Sequence, residues 1–215
     1  MSSSERSPRQ NRVTPTGDLI AISARGTLMG NRGCLHDARG EIRRSFQLKR
    51  WIICLLAFKG RQREIMKPGH YTELFFLDEA VALAAGHRPC AECQRGRYVE
   101  FRDLWTSANP RLASSVPIRA DELDAVLHDD RLTEEGRQRT DQAALEELPD
   151  GTFVTIADAP YLLWRGHLLL WTPQGYASRY PEKWPESVTV LTPQTVVNTL
   201  RRGYVPAVHE SAGLF

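Results

Sequence analysis

Residues 74–95 read LFFLDEAVALAAGHRPCAECQR. The apolar start predicts a short strand. Asp78 then stands where an N-cap side chain accepts backbone N–H bonds, and Glu79 complements the first helical turn. The run AVALAA extends a short helix, and Gly86 fits the C′ position just past its end. Gly86-His87-Arg88-Pro89 lead directly into Cys90, with Cys93 completing a C-x-x-C pair. Two thiolates at this spacing can share one tetrahedral ion, which makes the pair a zinc half-site. In a thioredoxin-like redox site the pair opens a helix straight after a parallel strand. Here it leaves a helix through Gly-His-Arg-Pro, which favours a zinc knuckle, and His87 reads as a packing or hydrogen-bonding residue rather than a ligand.

Working outward, residues 1–12 are Ser- and Arg-rich without apolar period and predict a disordered tail. Residues 19–29 suggest one or two short strands, closed by Gly30-Asn31-Arg32-Gly33, a tight turn or a close backbone approach. The run WIICLLAF at 51–58 predicts a buried strand, and 64–66 a returning one before Pro68-Gly69. After Cys93 a helix is expected over 94–107, with Tyr98, Phe101 and Trp105 on one apolar face. Residues 110–148 are polar and weakly amphipathic, as in an acidic helical linker. From 148 onward, short apolar runs (GTFVTIA, YLLWRG, HLLLWTP, SVTVLTP) alternate with turn residues, the composition of a small barrel or meander. Thr192-Pro193 open a last helix over 194–202. The fold class predicted is α+β: a tail (1–12), a zinc-organised sheet-and-helix module (13–109), the acidic linker (110–148) and a small β-rich domain with a terminal helix (149–215).

At 215 residues and 41% hydrophobic content the chain suffices for a real core. Net charge is only +2, yet residues 25–67 hold eleven Lys/Arg against three Asp/Glu, and 121–150 reverse this with eleven acids against three Arg. Such asymmetry predicts a basic surface and an acidic, solvated one. The acidic stretch is also a candidate surface for a basic protein partner. Four cysteines in a chain this long are no disulfide framework, the first residues lack a signal peptide's apolar core, and no apolar run is long enough to span a bilayer. A cytoplasmic setting is expected, and no membrane partner.

A structural zinc needs four ligands. With Cys90 and Cys93 as two, Cys54 in the apolar strand is the candidate third, and the fourth is His36 or, alternatively, Cys34. Arg43, Arg44, Lys49, Arg50, Lys59, Arg61 and Arg63 form a basic set interleaved with Trp51, suited to phosphates and base stacking. Candidate catalytic residues are His36 with Asp37, as a general-base pair, and Glu73 on an otherwise apolar strand.

The segment ALAAGHRPCAECQR resembles the Ada-type zinc-binding domain of DNA repair proteins, in which a strand and a short helix ending in Ala-Leu-Ala-Ala-Gly precede Arg-Pro-Cys-x-x-Cys. Phe75-Phe76 match the strand, Ala82 to Gly86 the helix end, and Arg88-Pro89-Cys90 with Cys93 the knuckle. The resemblance implies a small sheet flanked by helices around one four-ligand zinc, and DNA as partner. This chain lacks the family's C-x-x-x-C first half-site, so the thiolate that accepts a methyl group there has no matching position here. The expectation is therefore a zinc-stabilised protein that binds DNA or RNA. The alternatives are an enzyme acting on nucleic acid or nucleotides, and a zinc-stapled interaction module.

Overall fold

The structure is a computed structural model and describes residues 7–62, 64–179 and 185–215. The strands are β1 (Gln10–Val13), β2 (Leu19–Ala21), β3 (Leu28–Asn31), β4 (Ile52–Leu55), β5 (Leu74–Phe76), β6 (Arg88–Pro89), β7 (Asp141–Ala144), β8 (Phe153–Ile156), β9 (Ala159–Trp164), β10 (His167–Thr172), β11 (Gly175–Arg179) and β12 (Ser187–Val190). The helices are α1 (Glu79–Ala84), α2 (Arg95–Ala108), α3 (Ala120–Arg131) and α4 (Gln194–Arg201). The fold is α+β, with two six-stranded sheets ordered β2-β1-β5-β3-β4-β6 and β11-β10-β9-β8-β12-β7. The second sheet is antiparallel throughout, a meander from β8 to β11 with β12 and β7 added beside β8.

The first sheet shows why its apolar runs alternate. Arg12, Phe75, Met29 and Cys54 are register partners in turn across β1, β5, β3 and β4. Directly opposed residues share a face. Their sequence neighbours Val13, Leu74, Phe76 and Ile53 point the other way, and all four are fully buried. β3 and β4 approach closely at Gly30, where a Cβ would lie 2.1 Å from the Ile52 carbonyl oxygen.

On that buried side lies α1, whose six residues are all buried. Its N-terminus is capped as expected: Asp78 Oδ1 accepts from Val81 N at 2.9 Å. The second carboxylate oxygen accepts from Tyr176 Oη at 2.8 Å and His209 N at 2.9 Å. Glu79 accepts from Arg97 Nη2 at 2.6 Å and Ala207 N at 2.8 Å. Two buried carboxylates are thereby matched by Arg97 of α2 and by groups from the C-terminal third. One apolar cluster runs through both halves, joining Val13, Phe76 and Leu83 to Phe153, Trp171 and Tyr204.

Several expectations change. The tail over 1–12 is not a tail at its end, because Gln10–Val13 form β1; residues 1–6 lie outside the described residues. The strand is supplied with its pattern by its neighbours β2 and β5 rather than by its own sequence. Residues 64–66 form no strand: Ile65 and Met66 make a turn, with Met66 at φ 56°. The expected linker over 110–148 is an integral wedge. Its helix α3 inserts Asp124 and Arg131, each at most 6% exposed. Arg88 donates to Asp124 through Nε at 2.8 Å and Nη2 at 2.7 Å. Arg131 Nη1 donates to the Gly86 carbonyl at 2.9 Å. Gly86 itself has φ +78°, and a Cβ there would meet Arg131 Cδ at 2.5 Å. Thr192 does not cap α4, because its hydroxyl accepts from Phe153 N at 2.9 Å.

Removing one partner of a buried, bidentate ion pair leaves an uncompensated charge in the interior. Asp124→Asn is expected to lower stability by about 3 kcal/mol, whereas Arg88→Met combined with Asp124→Leu recovers most of that loss. Urea unfolding checks this: the midpoint falls for the single variant while the slope is unchanged.

Candidate metal centre

Backbone pairing assembles the cysteines. β6 runs parallel to β4, with Ile52 beside Arg88 and Ile53 beside Pro89. The next pair along this ladder is Cys54 and Cys90, and Cys90 N extends the pairing by donating to the Ile53 carbonyl at 2.9 Å. The chain then turns: Gln94 N donates to the Cys90 carbonyl at 3.1 Å, and Gln94 Nε2 to the Ile53 carbonyl at 2.9 Å. This turn brings Cys93 back over Cys54 and Cys90. The ligand atoms of all three lie within 4.8 Å of one another. Glu92 N donates to Cys90 Sγ at 3.4 Å, so the turn also stabilises negative charge on that sulfur.

Cys54 and Cys90 are buried against Met29, while Cys93 is partly exposed. Three thiolates this close repel one another unless a cation joins them. The Cys54 thiol hydrogen-bonds to Cys90, which lowers the Cys90 thiol to about 5 and raises that of Cys54; burial raises Cys54 further and also raises Cys93. Three clustered sulfur donors suit a soft or borderline ion and exclude a hard one such as magnesium or calcium. The residues present thus fit a metal ion held by Cys54, Cys90 and Cys93. Among the described residues no further His, Cys, Asp or Glu joins the group.

The structure places the two candidates for a fourth ligand elsewhere. β3 carries the chain from Met29, the register partner of Cys54, away towards Gly33 before Cys34 and His36 are reached. His36 Nδ1 is 2.6 Å from Thr72 Oγ1, and its Nε2 is 3.3 Å from the Lys67 carbonyl. Cys34 Sγ donates to the His36 carbonyl at 3.6 Å. His36 thereby pins the 64–73 loop to the turn after β3, and Cys34 braces that turn from within.

The catalytic candidates do not converge. Asp37 binds Arg43 at 2.7 Å and the backbone of its own turn. Glu73 is 4% exposed and accepts from Met66 N at 2.7 Å, holding that left-handed turn. Of the basic set, Arg43 pairs with Asp37 and Glu41, Lys49 with Asp129 and Arg61 with Glu92. Lys59 and Arg61 lie over the Phe58 ring. Arg44 and Arg50 are exposed, and Arg63 lies outside the described residues. Exposed pairs of this kind contribute little to stability and separate readily. His87 packs between Trp51 and Phe76, and burial lowers its imidazole well below the usual range, so it is neutral.

What the residue pattern does not reveal is the groove beside the cysteines. Phe75, Leu56 and Ile65 line a cavity of about 680 Å³ together with the exposed Arg9 and Arg25 and the buried Arg12, whose guanidinium donates to the carbonyls of Ala24 and Pro173. The same three apolar residues continue into a hollow of about 180 Å³ lined by Met29, Arg61 and Glu73. The row Arg12, Phe75, Met29, Cys54 thus joins a basic groove to the cysteine cluster. The signal for it is register, which relates residues as distant as Arg12 and Cys54. No protein-family profile, curated protein or solved structure matches the chain. Among the described residues no helix is long and apolar enough to cross a membrane.

The purified protein is expected to carry one metal ion per chain. Cys54→Ser, Cys90→Ser and Cys93→Ser should each lose it, while Cys34→Ser and His36→Gln keep it. Because protons compete for thiolates, the ion is retained at neutral pH and released as the pH falls. Elemental analysis of dialysed wild type and variants checks both statements.

Proposed function

We propose that this is a zinc-stabilised protein that binds nucleic acid, in a DNA repair or regulatory setting. The observation that carries the reading is the sheet row that places the three-cysteine cluster and the arginine-rimmed groove on one surface. Zinc favours tetrahedral sulfur sets, and when bound it would neutralise the thiolates and fasten β4 to the turn before α2, leaving one coordination position for a ligand from outside. Arg9 and Arg25 are exposed at the groove rim and suit phosphate oxygens, while the apolar floor of Leu56, Ile65 and Phe75 suits the faces of bases. The Ada-type resemblance of residues 74–95 points the same way. Free thiols at all four cysteines accord with a cytoplasmic setting.

An enzyme built on His36, Asp37 and Glu73 has less support, because each is committed to holding a turn. An acidic docking surface over 121–150 is weakened likewise. Asp124 is bound to Arg88, and Asp130 accepts from Thr195 N at 2.9 Å and Thr195 Oγ1 at 2.7 Å.

Fluorescence anisotropy with labelled single- and double-stranded oligonucleotides at several salt concentrations tests the reading. Affinity is expected to fall steeply with salt, and Arg9→Gln and Arg25→Gln each to reduce the log–log slope by about one. A metal-loaded protein with no salt-sensitive binding to any of them would refute it.

A further inference from the structure

Away from the cysteine cluster, Arg32 and Arg131 are buried cations that no carboxylate contacts directly; Arg12, a third buried arginine, is satisfied by the carbonyls of Ala24 and Pro173. Arg32 and Arg131 are each 2% exposed. Their guanidinium carbons lie 4.1 Å and 3.9 Å from the centroid of the Trp51 ring. Neither forms an ion pair with a carboxylate among the described residues. Arg32 donates to the Gly17 carbonyl at 3.0 Å and to His87 Nε2 at 3.2 Å. Arg131 donates to the carbonyls of Gly86 and Lys49 and lies 2.8 Å from His128 Nδ1. Arg32 Nη2 and Arg131 Nε are buried with no hydrogen-bond partner. Burial lowers both guanidinium groups to about 9, so both remain charged at neutral pH.

Two buried cations on one indole ring are costly, and neutral carbonyls do not cancel their charge. If the role were packing alone, an apolar or neutral polar side chain would do it without that penalty. Both arginines line one cavity of about 330 Å³, which also exposes Thr16, Ser45 and Gln138. Its charged lining is Arg32, Arg131 and Arg137 against a single carboxylate, Asp18, which already accepts from Thr16 Oγ1 at 2.7 Å.

We propose that this cavity, between Arg32, Trp51 and Arg131, is a binding site for a phosphomonoester group. A dianion offsets two nearby guanidinium charges, and the unpartnered Arg32 Nη2 is a donor for one of its oxygens. The volume exceeds what a bare phosphate needs and falls in the range of small-ligand sites, so the phosphate arrives attached to a further group. That group belongs either to a free mononucleotide-sized ester or to the terminal phosphate of a nucleic-acid strand; the recognising chemistry is the same. The site does not rest on the groove beside the cysteines, and either can fail alone.

Thermal unfolding and calorimetric titration of the metal-loaded full chain test it, with inorganic phosphate, 5′-AMP and an oligonucleotide bearing a 5′-phosphate or a 5′-hydroxyl. Phosphate and 5′-AMP are expected to raise the melting temperature above that in sodium chloride of equal ionic strength, since a ligand of the native state stabilises it. Ser45→Glu places a carboxylate at the exposed edge of the cavity and is expected to weaken 5′-AMP binding at least about tenfold, as is Arg32→Gln. If the Arg32 variant does not fold, Ser45→Glu decides by itself. A 5′-phosphorylated strand that binds about tenfold tighter than its 5′-hydroxyl twin identifies a strand end as the source. Equal binding of the two strands, with 5′-AMP bound, identifies a free ester. Absence of any effect beyond ionic strength, or undiminished 5′-AMP binding by Ser45→Glu, overturns the proposal. The 5′-hydroxyl strand reports the groove, so its salt-dependent binding in Ser45→Glu separates the two sites.

Discussion

The buried N-terminus of α1 is the constraint on which the rest of the structure depends. A six-residue helix is too short to hold itself together in water, and this one has no exposed face. Its first turn leaves backbone N–H groups that Asp78 satisfies, but Asp78 and Glu79 bring two carboxylates into the interior. The tyrosines 176 and 204, Arg97 and the backbone N–H groups of Ala207 and His209 answer them. The C-terminal third is therefore held by the electrostatic needs of a helix in the first half. Burial and the Asp78 charge raise the Tyr176 hydroxyl well above its usual range, keeping it a hydrogen-bond donor.

The other end of α1 builds the candidate metal centre. Gly86 turns the chain in a left-handed conformation that a side chain would obstruct, and Arg131 of α3 closes over it. Two extended residues later, Cys90 has its place beside Cys54 on a parallel ladder. The spacing of the sulfurs is thus set by backbone hydrogen bonds and by the turn that Gln94 ties to β4. Donors supported this way are preorganised for an ion. Met29 and Phe75 lie in the same register row, which is why the cluster borders the arginine-rimmed groove.

Much of this was legible locally. The capping aspartate, the glycine stop, the C-x-x-C pair, the apolar face of α2 and the strands β8 to β10 all follow from short-range pattern, and the α+β class follows from their sum. Cys54 as a candidate third ligand was legible from its residue type. Elements without a pattern of their own were not: β1, β6 and β7 exist because neighbouring strands offer partners. The same holds for α3, whose polar composition reads as a linker although Asp124 and Arg131 are among its most buried side chains. Buried charges carry polar letters, and only their partners show that they are inside.

By itself, then, the sequence determined that residues 74–95 make a strand, a capped helix and a paired-cysteine turn, because capping, glycine conformation and ligand spacing act over a few residues. Only the tertiary structure decided that Cys54 lies beside Cys90 and Cys93, that His36 and Cys34 lie elsewhere, and that Arg32 and Arg131 meet at Trp51. Those are long-range choices, made by strand register and by burial of charge, and neither is written in the spacing of residues along the chain.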